Sequence, residues 1–180
     1  LMFPAAILFG LAELLIPELA RCAAAGSTRR VQYLIKRSLR TALLYSCVFA
    51  GLMYLLAKPV CMALYGNAEA GTLLQKFSFL IPMLYCDAII DAMNKGLGKQ
   101  QICVRFNILT SVMDVVGLYV LLPTMGMKGY FISFLVSHAV NFLLSLGLLL
   151  KNTGLRIRLR IPLLTAGVVL AALLWGEMIP

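Results

Sequence analysis

Long apolar stretches of about twenty residues, separated by short charged or Gly- and Pro-containing segments, restrict this chain more than any other feature. A helix needs about 20 apolar residues to cross the roughly 30 Å hydrocarbon core of a bilayer. Windows of this length occur at 1–20, 41–62, 72–94, 102–122, 129–150 and 162–179. Because these runs are continuous rather than alternating, we predict an all-α, polytopic transmembrane helical bundle of about six spans instead of a β-barrel.

The composition excludes an ordinary water-soluble domain. The chain is 62% hydrophobic and 13% charged, whereas soluble domains are about 45–50% apolar and about 25% charged. The formal net charge of +9 comes from basic residues between the apolar runs, so we expect no nucleic-acid partner. The cysteines show no metal-ligand spacing, so we interpret them as packing residues and predict neither a metal site nor a cofactor. They are Cys22, Cys47, Cys61, Cys86 and Cys103.

The distribution of basic residues predicts the topology. Segments 21–40, 95–105 and 151–161 hold thirteen of the 16 Lys and Arg residues. Since basic loops stay preferentially on the cytoplasmic side, we expect these three loops to be cytoplasmic in a multi-pass protein of the cell membrane.

The first of these loops has an amphipathic pattern over 27–40. Val31, Leu34, Ile35 and Leu39 share one side at helical spacing. The opposite side carries the basic residues Arg29, Arg30, Lys36, Arg37 and Arg40. We predict an interfacial helix whose basic side contacts anionic lipid headgroups.

Four short segments carry a resemblance to a known family. They are LLIPELARCAAAG at 14–26, AKPVCMALYGN at 57–67, AMNKGLGKQ at 92–100 and GMKGY at 126–130. Their order and spacing resemble the C-terminal half of polysaccharide-biosynthesis flippases, closest to the stage V sporulation protein B-like group. These proteins belong to the multidrug/oligosaccharidyl-lipid/polysaccharide exporter superfamily, and the similarity covers about residues 1–155.

The resemblance implies a MATE-like transporter of two lobes that rock to expose a central cavity to either side in turn. Residues 1–155 would form part of the C-terminal lobe, and 156–180 a basic juxtamembrane segment with one additional transmembrane helix. The first span begins in mid-hydrophobic sequence without an initiator Met, so we expect a piece of a longer protein whose N-terminal lobe lies upstream.

Asp114 is the strongest candidate for a functional residue. Placing an ionisable group inside a membrane span costs free energy unless the group faces a partner or water. Asn107, Thr110 and Ser111 share its helical face. We predict a cavity wall that contacts the sugar or amide groups of a substrate, or a coupling ion. The alternative is an interhelical hydrogen bond that only holds the bundle together.

Asp87 and Asp91 lie one helical turn apart, and Asn94 continues their face. Such a pair could share a proton and act as an ion-coupling site. Alternatively, Asp91 lies at the headgroup level and pairs with Lys95 or Lys99.

A fifth-span ladder of Ser133, Ser137, Asn141 and Ser145 has the four-residue spacing typical of helix packing, with Asn141 also a cavity candidate. His138 lies beside it and is a candidate proton relay.

Two glutamates flank Pro17 in the first span. We expect Pro17 to permit a kink. Glu18 is expected to pair with Arg21 or the basic segment that follows, whereas the deeper Glu13 stays a cavity candidate. Pro82 is expected to interrupt the third span in the same way.

No motif of soluble enzyme chemistry occurs, and GLGKQ at 96–100 lacks the features of a phosphate-binding loop, so we predict no enzyme. The prediction is a flippase for a lipid-linked oligosaccharide or peptidoglycan precursor, working by alternating access, with a proton or sodium as possible coupling cation. Acids deep in the membrane favour the alternative of a cation-coupled multidrug antiporter, whereas the loop motifs favour the flippase. A non-transporting cell-envelope scaffold would instead have tightly packed helices without a hydrated cavity.

Overall fold

The computed structural model describes residues 2–66 and 68–155, which form six helices joined by short turns. The helices are α1 (Met2–Ala24), α2 (Thr28–Tyr65), α3 (Ala68–Ser78), α4 (Ile81–Gly96), α5 (Gln100–Met125) and α6 (Met127–Thr153). The prediction of an all-α bundle is therefore confirmed for this part of the chain.

Three helices, α2, α5 and α6, are long and apolar enough to cross a membrane, and α3 with α4 forms a fourth span if the bent pair is taken as one. These helices indicate a membrane-embedded protein. Five of the six predicted windows fall in the described ranges, and α1, which covers the first of them, is not among these three or four spans. The window at 162–179 and the juxtamembrane segment before it lie outside the described residues.

Helix α2 corrects the prediction of a separate interfacial helix at 27–40. It is one helix of 38 residues, about 57 Å long at 1.5 Å per residue, and so exceeds the hydrocarbon core. The prediction was wrong because the apolar side of its first third is used inside the protein. Val31, Ile35 and Leu39 are buried in the core, and the Gln32 side chain donates to the Thr153 carbonyl (3.0 Å).

The predicted third span is broken. Glu69–Ser78 and Ile81–Gly96 meet at a bend of 47°. Pro82 lies in the first turn of α4, where its missing N–H costs no helical hydrogen bond. The interruption expected at Pro82 is thus confirmed.

Helices α5 and α6 form a very tight hairpin. The turn expected from GMKGY at 126–130 consists of Gly126 alone, with φ 59° and ψ −136°, a conformation that is essentially restricted to glycine. A Cβ atom on Gly129 would clash with the Leu121 carbonyl oxygen, so the two backbones are nearly in contact.

Helix α4 is the centre of the bundle and α5 is its periphery. Helix α4 packs against α1, α2 and α6, and ten of its 16 residues are buried. Helix α5 packs mainly on α6 and buries only Cys103 and Thr110. Since α4 and α5 both pack against α6 but make few contacts with each other, a crevice remains between them. Four of the five cysteines are buried as packing residues, whereas Cys47 is exposed.

Candidate functional site

The crevice between α4, α5 and α6 has a volume of about 190 Å³. We call it the polar crevice, because every residue that lines it is polar. The lining residues are Asp87, Asn107, Thr110, Ser111, Asp114, Ser137, His138 and Asn141. Six of the nine residues proposed from the sequence as cavity or coupling candidates are among these eight.

One wall of the polar crevice is a stripe of four polar residues on α5, namely Asn107, Thr110, Ser111 and Asp114. Its members are spaced by three, four and seven residues, which places them on one helical face. Asn107 and Ser111 are exposed and Asp114 is half-buried. Thr110 is buried, and its hydroxyl donates to the Phe106 carbonyl of its own helix (2.9 Å). An exposed amide and hydroxyl on an apolar helix indicate that this face looks toward water or another protein element rather than lipid.

Asp114 is bound by α6. Its Oδ1 atom accepts hydrogen bonds from the hydroxyls of Ser133 (3.1 Å) and Ser137 (3.0 Å). Asp114 therefore lines the cavity and also joins two helices. The interhelical hydrogen bond is confirmed, and contact with a substrate or a coupling ion stays a prediction. The four-residue spacing of the two serines predicted helix packing. Local spacing does not show which helix they face, so it could not identify them as ligands of Asp114.

Asp87 is bound by the same face of α6. The Asn141 amide nitrogen donates to Asp87 Oδ2 at 2.8 Å. The other oxygens of the pair, Asp87 Oδ1 and Asn141 Oδ1, are buried and have no hydrogen-bond partner among the described residues. Buried polar atoms are rarely left unpaired, so these two acceptors can each take a further donor or a cation. Asp91 Oδ1 and Asn94 Oδ1, outside the crevice lining, are unpaired among the described residues in the same way.

Asp91 and Asn94 lie outside the lining of the polar crevice. Asp91 Oδ2 forms an ion pair with Lys95 Nζ at 2.7 Å, which confirms the pairing proposed as the alternative to a shared proton. Asn94 is fully buried and donates to the Ser145 carbonyl (2.9 Å). Its role in the structure is to join α4 to α6 rather than to line a cavity.

His138 lines the polar crevice with one nitrogen already engaged. Nδ1 lies 3.0 Å from the Phe134 carbonyl oxygen, and the imidazole stacks on the Phe134 ring at 4.0 Å between centroids. A carbonyl oxygen only accepts hydrogen bonds, so Nδ1 carries the hydrogen and Nε2 is the nitrogen that can accept a proton. The relay role of His138 stays a prediction.

The remaining candidates lie elsewhere. Glu13 is exposed on α1 and does not line the polar crevice. Glu18 lines a separate groove together with Arg37 of the basic segment. The five residues predicted to contact lipid headgroups are all exposed on α2. Within residues 2–66 and 68–155, no group of three or more His, Cys, Asp or Glu is arranged to hold a metal ion.

Comparisons of the chain with protein-family models, with curated proteins and with solved structures found no match. Function is therefore inferred from the geometry and chemistry of the polar crevice.

Proposed function

We propose that this chain is part of the lobe of a membrane transporter that flips a lipid-linked oligosaccharide or peptidoglycan precursor by alternating access. The polar crevice would be its site for a coupling cation. The observation that carries this proposal is a cavity lined wholly by polar side chains, two carboxylates among them, within a bundle of apolar helices.

The placement of the two acids supports transport over a purely structural role. Ionisable residues in membrane helices are costly and face the bundle interior or a water-filled cavity when they occur. Asp87 and Asp114 come from different helices and converge on one crevice. A helix bundle that needed only mechanical cohesion has no requirement for two carboxylates around a shared space.

The charge and size of the polar crevice favour a cation. The described residues that line it include two aspartates and neither Lys nor Arg. Its volume of about 190 Å³ is smaller than the roughly 300–1,000 Å³ typical of small-molecule pockets. A proton or sodium ion with a few waters fits this space, with oxygen ligands from Asp87 Oδ1 and Asn141 Oδ1. The bulkier glycan would pass beside α5, along the exposed face of Asn107 and Ser111.

The broken helix next to the polar crevice also supports transport. Transporters commonly place their ion and substrate sites at discontinuous membrane helices. Asp87 lies six residues after the start of α4, close to the 47° bend between α3 and α4. A change in this bend would move Asp87 relative to Asp114 and so change the affinity for a cation.

The proposed topology places the loops at 21–40, 95–105 and 151–161 in the cytoplasm. The exposed basic residues of α2 would then contact the anionic cytoplasmic leaflet.

The test uses the full-length transporter in proteoliposomes, with a fluorescent lipid-linked glycan as substrate. Asp114→Asn and Asp87→Asn are each expected to slow flipping by at least about tenfold, which corresponds to about 1.4 kcal/mol. Both variants should also lose the dependence of the rate on a sodium or proton gradient.

Asp91→Asn is the matched control, because Asp91 is also an acid of α4 but pairs with Lys95 outside the crevice. It should insert normally and keep flipping and its cation dependence. Flipping at the wild-type rate by Asp114→Asn and Asp87→Asn would refute the proposal.

A cation-coupled multidrug antiporter is the second candidate, and the absence of basic residues among the described lining favours it. Uptake of a cationic dye against a gradient, without flipping of the glycan lipid, would select this function. The scaffold alternative predicts neither activity.

A further inference from the structure

A second cavity lies on the other side of α4, between α1 and α2. It has a volume of about 340 Å³, and we call it the apolar groove. Its lining residues are Leu8, Leu11, Leu14, Leu15, Glu18, Leu34, Arg37, Ser38, Thr41, Ala42 and Ile89.

The floor and walls of the apolar groove are hydrocarbon. Leu8, Ala42 and Ile89 are buried at its base. Leu11 and Leu14 form an open wall, with 44% and 70% of their surface exposed. From Leu8 to Glu18 the groove follows α1 for ten residues, or about 15 Å. An open apolar channel of this length is long enough to hold part of an acyl chain.

The mouth of the apolar groove carries one acid and one base. Glu18 comes from α1 and Arg37 from α2, and both line the groove. Ser38 and Thr41 add hydroxyls, and the Thr41 hydroxyl donates to the Arg37 carbonyl (3.0 Å). A guanidinium binds a phosphate through two parallel hydrogen bonds, and a carboxylate accepts hydrogen bonds from a primary ammonium.

We propose that the apolar groove binds one aminophospholipid, with an acyl chain along the leucines of α1. Its phosphate lies at Arg37 and its primary ammonium at Glu18. A choline headgroup has no N–H to donate to Glu18. An anionic glycerol headgroup carries no ammonium, so the carboxylate of Glu18 would gain no cationic partner from it.

The neighbouring basic residues make Glu18 the discriminating group. Lys36 and Arg40 are exposed on the same helix as Arg37 and attract any phosphate. They supply affinity for phospholipids in general and no preference for a primary amine. The selectivity for the aminophospholipid therefore depends on Glu18, and tight retention depends on Arg37 and the groove.

The experiment measures lipids retained by the full chain after extraction from vesicles of equimolar phosphatidylethanolamine, phosphatidylcholine and phosphatidylglycerol. Native mass spectrometry should show one phosphatidylethanolamine per chain in the wild type. Glu18→Gln should reduce its preference over phosphatidylcholine by about tenfold, the effect of losing one charge-assisted hydrogen bond. Arg37→Gln should reduce retention of all three lipids.

Glu13→Gln and Arg40→Gln are the matched controls, because both residues are exposed on the same two helices but do not line the apolar groove. They should keep the wild-type selectivity. Leu15→Trp should fill the groove and abolish retention while the thermal unfolding midpoint stays near that of the wild type.

The proposal would be overturned by equal retention of the ethanolamine and choline lipids by the wild type, by preferential retention of phosphatidylglycerol, or by a loss in the controls as large as that in Glu18→Gln. Undiminished retention by Leu15→Trp would also overturn it, because the headgroup would then be held without the groove.

Discussion

The polar crevice and the apolar groove lie on opposite faces of the same helix. Asp87 of α4 lines the first and Ile89 lines the second. Two residues along an α-helix correspond to a rotation of about 200°, so Asp87 and Ile89 face different cavities although they are close in the sequence. The difference teaches that one buried helix can separate a polar, acidic cavity from an apolar one.

The two cavities are also held together by different forces. Around the polar crevice, α6 is joined to its neighbours by side-chain hydrogen bonds from Ser133, Ser137 and Asn141. Around the apolar groove, α1, α2 and α4 meet mainly through buried aliphatic residues. Because lipid tails are as apolar as leucine, packing and interhelical hydrogen bonds, rather than the hydrophobic effect, associate helices in a membrane. The two sides of α4 should therefore respond differently to polar and apolar substitutions.

The largest effect is expected for a polar substitution on the groove side. Ile89→Asn removes a side chain that is 1% exposed and buries an amide, so it should destabilise the fold by about 3 kcal/mol or more. Asp87→Asn, on the crevice side of the same helix, should change stability by less than about 1 kcal/mol. Unfolding by a denaturing detergent in mixed micelles measures both, and equal losses would remove the proposed difference between the two faces.

A smaller effect is expected where α5 meets α6. Gly129→Ala places a methyl group against the Leu121 backbone, and overpacking of this kind costs about 1–3 kcal/mol. The same unfolding assay applies. Gly147→Ala is the control, since its Cβ would meet nothing within 4 Å, and it should be neutral or slightly stabilising. Equal effects of the two changes would show that the α5–α6 contact is looser than the structure indicates.

The hydration of the polar crevice can be measured through the partner of Asp87. Asn141→Leu removes the only described donor to Asp87 Oδ2. The substitution should lower the free energy of unfolding by about 1–3 kcal/mol if the crevice is dry, and by less than about 1 kcal/mol if water replaces the amide. We expect the smaller value. Asn152→Leu, which loses only an exposed bond to the Leu148 carbonyl of its own helix, is the reference, and a clearly larger cost for Asn141→Leu would argue for a dry crevice.

The smallest effect is expected for the ion pair between Asp91 and Lys95. Their side chains are 19% and 37% exposed, and such i,i+4 pairs contribute about 0.3–0.5 kcal/mol. Lys95→Met should therefore leave the unfolding midpoint almost unchanged and should not alter transport. A loss of transport would show that Asp91 does take part in coupling.

Much of the polar crevice could be predicted from single helices. The stripe of Asn107, Ser111 and Asp114 follows from helical spacing, and the structure places all three at one cavity. The partners of Asp87 could not be predicted, because Asn141 is 54 residues away and local spacing does not show which faces meet. Asp91 and Asn94 share a face with Asp87 in the sequence, yet Lys95 and Ser145 engage them instead.

Spacing and composition by themselves determined that the described part of this chain is helical and apolar, and that Asp114 shares a helix face with Asn107 and Ser111, since both properties depend on residues within one or two turns. The tertiary structure decided that α2 is continuous, that α4 stands at the centre, and that α5 is held away from it. These outcomes depend on which helix faces meet, and that is set by contacts between residues far apart in the chain. Only such contacts could place a carboxylate and an isoleucine, two residues apart on one helix, in two cavities of opposite character.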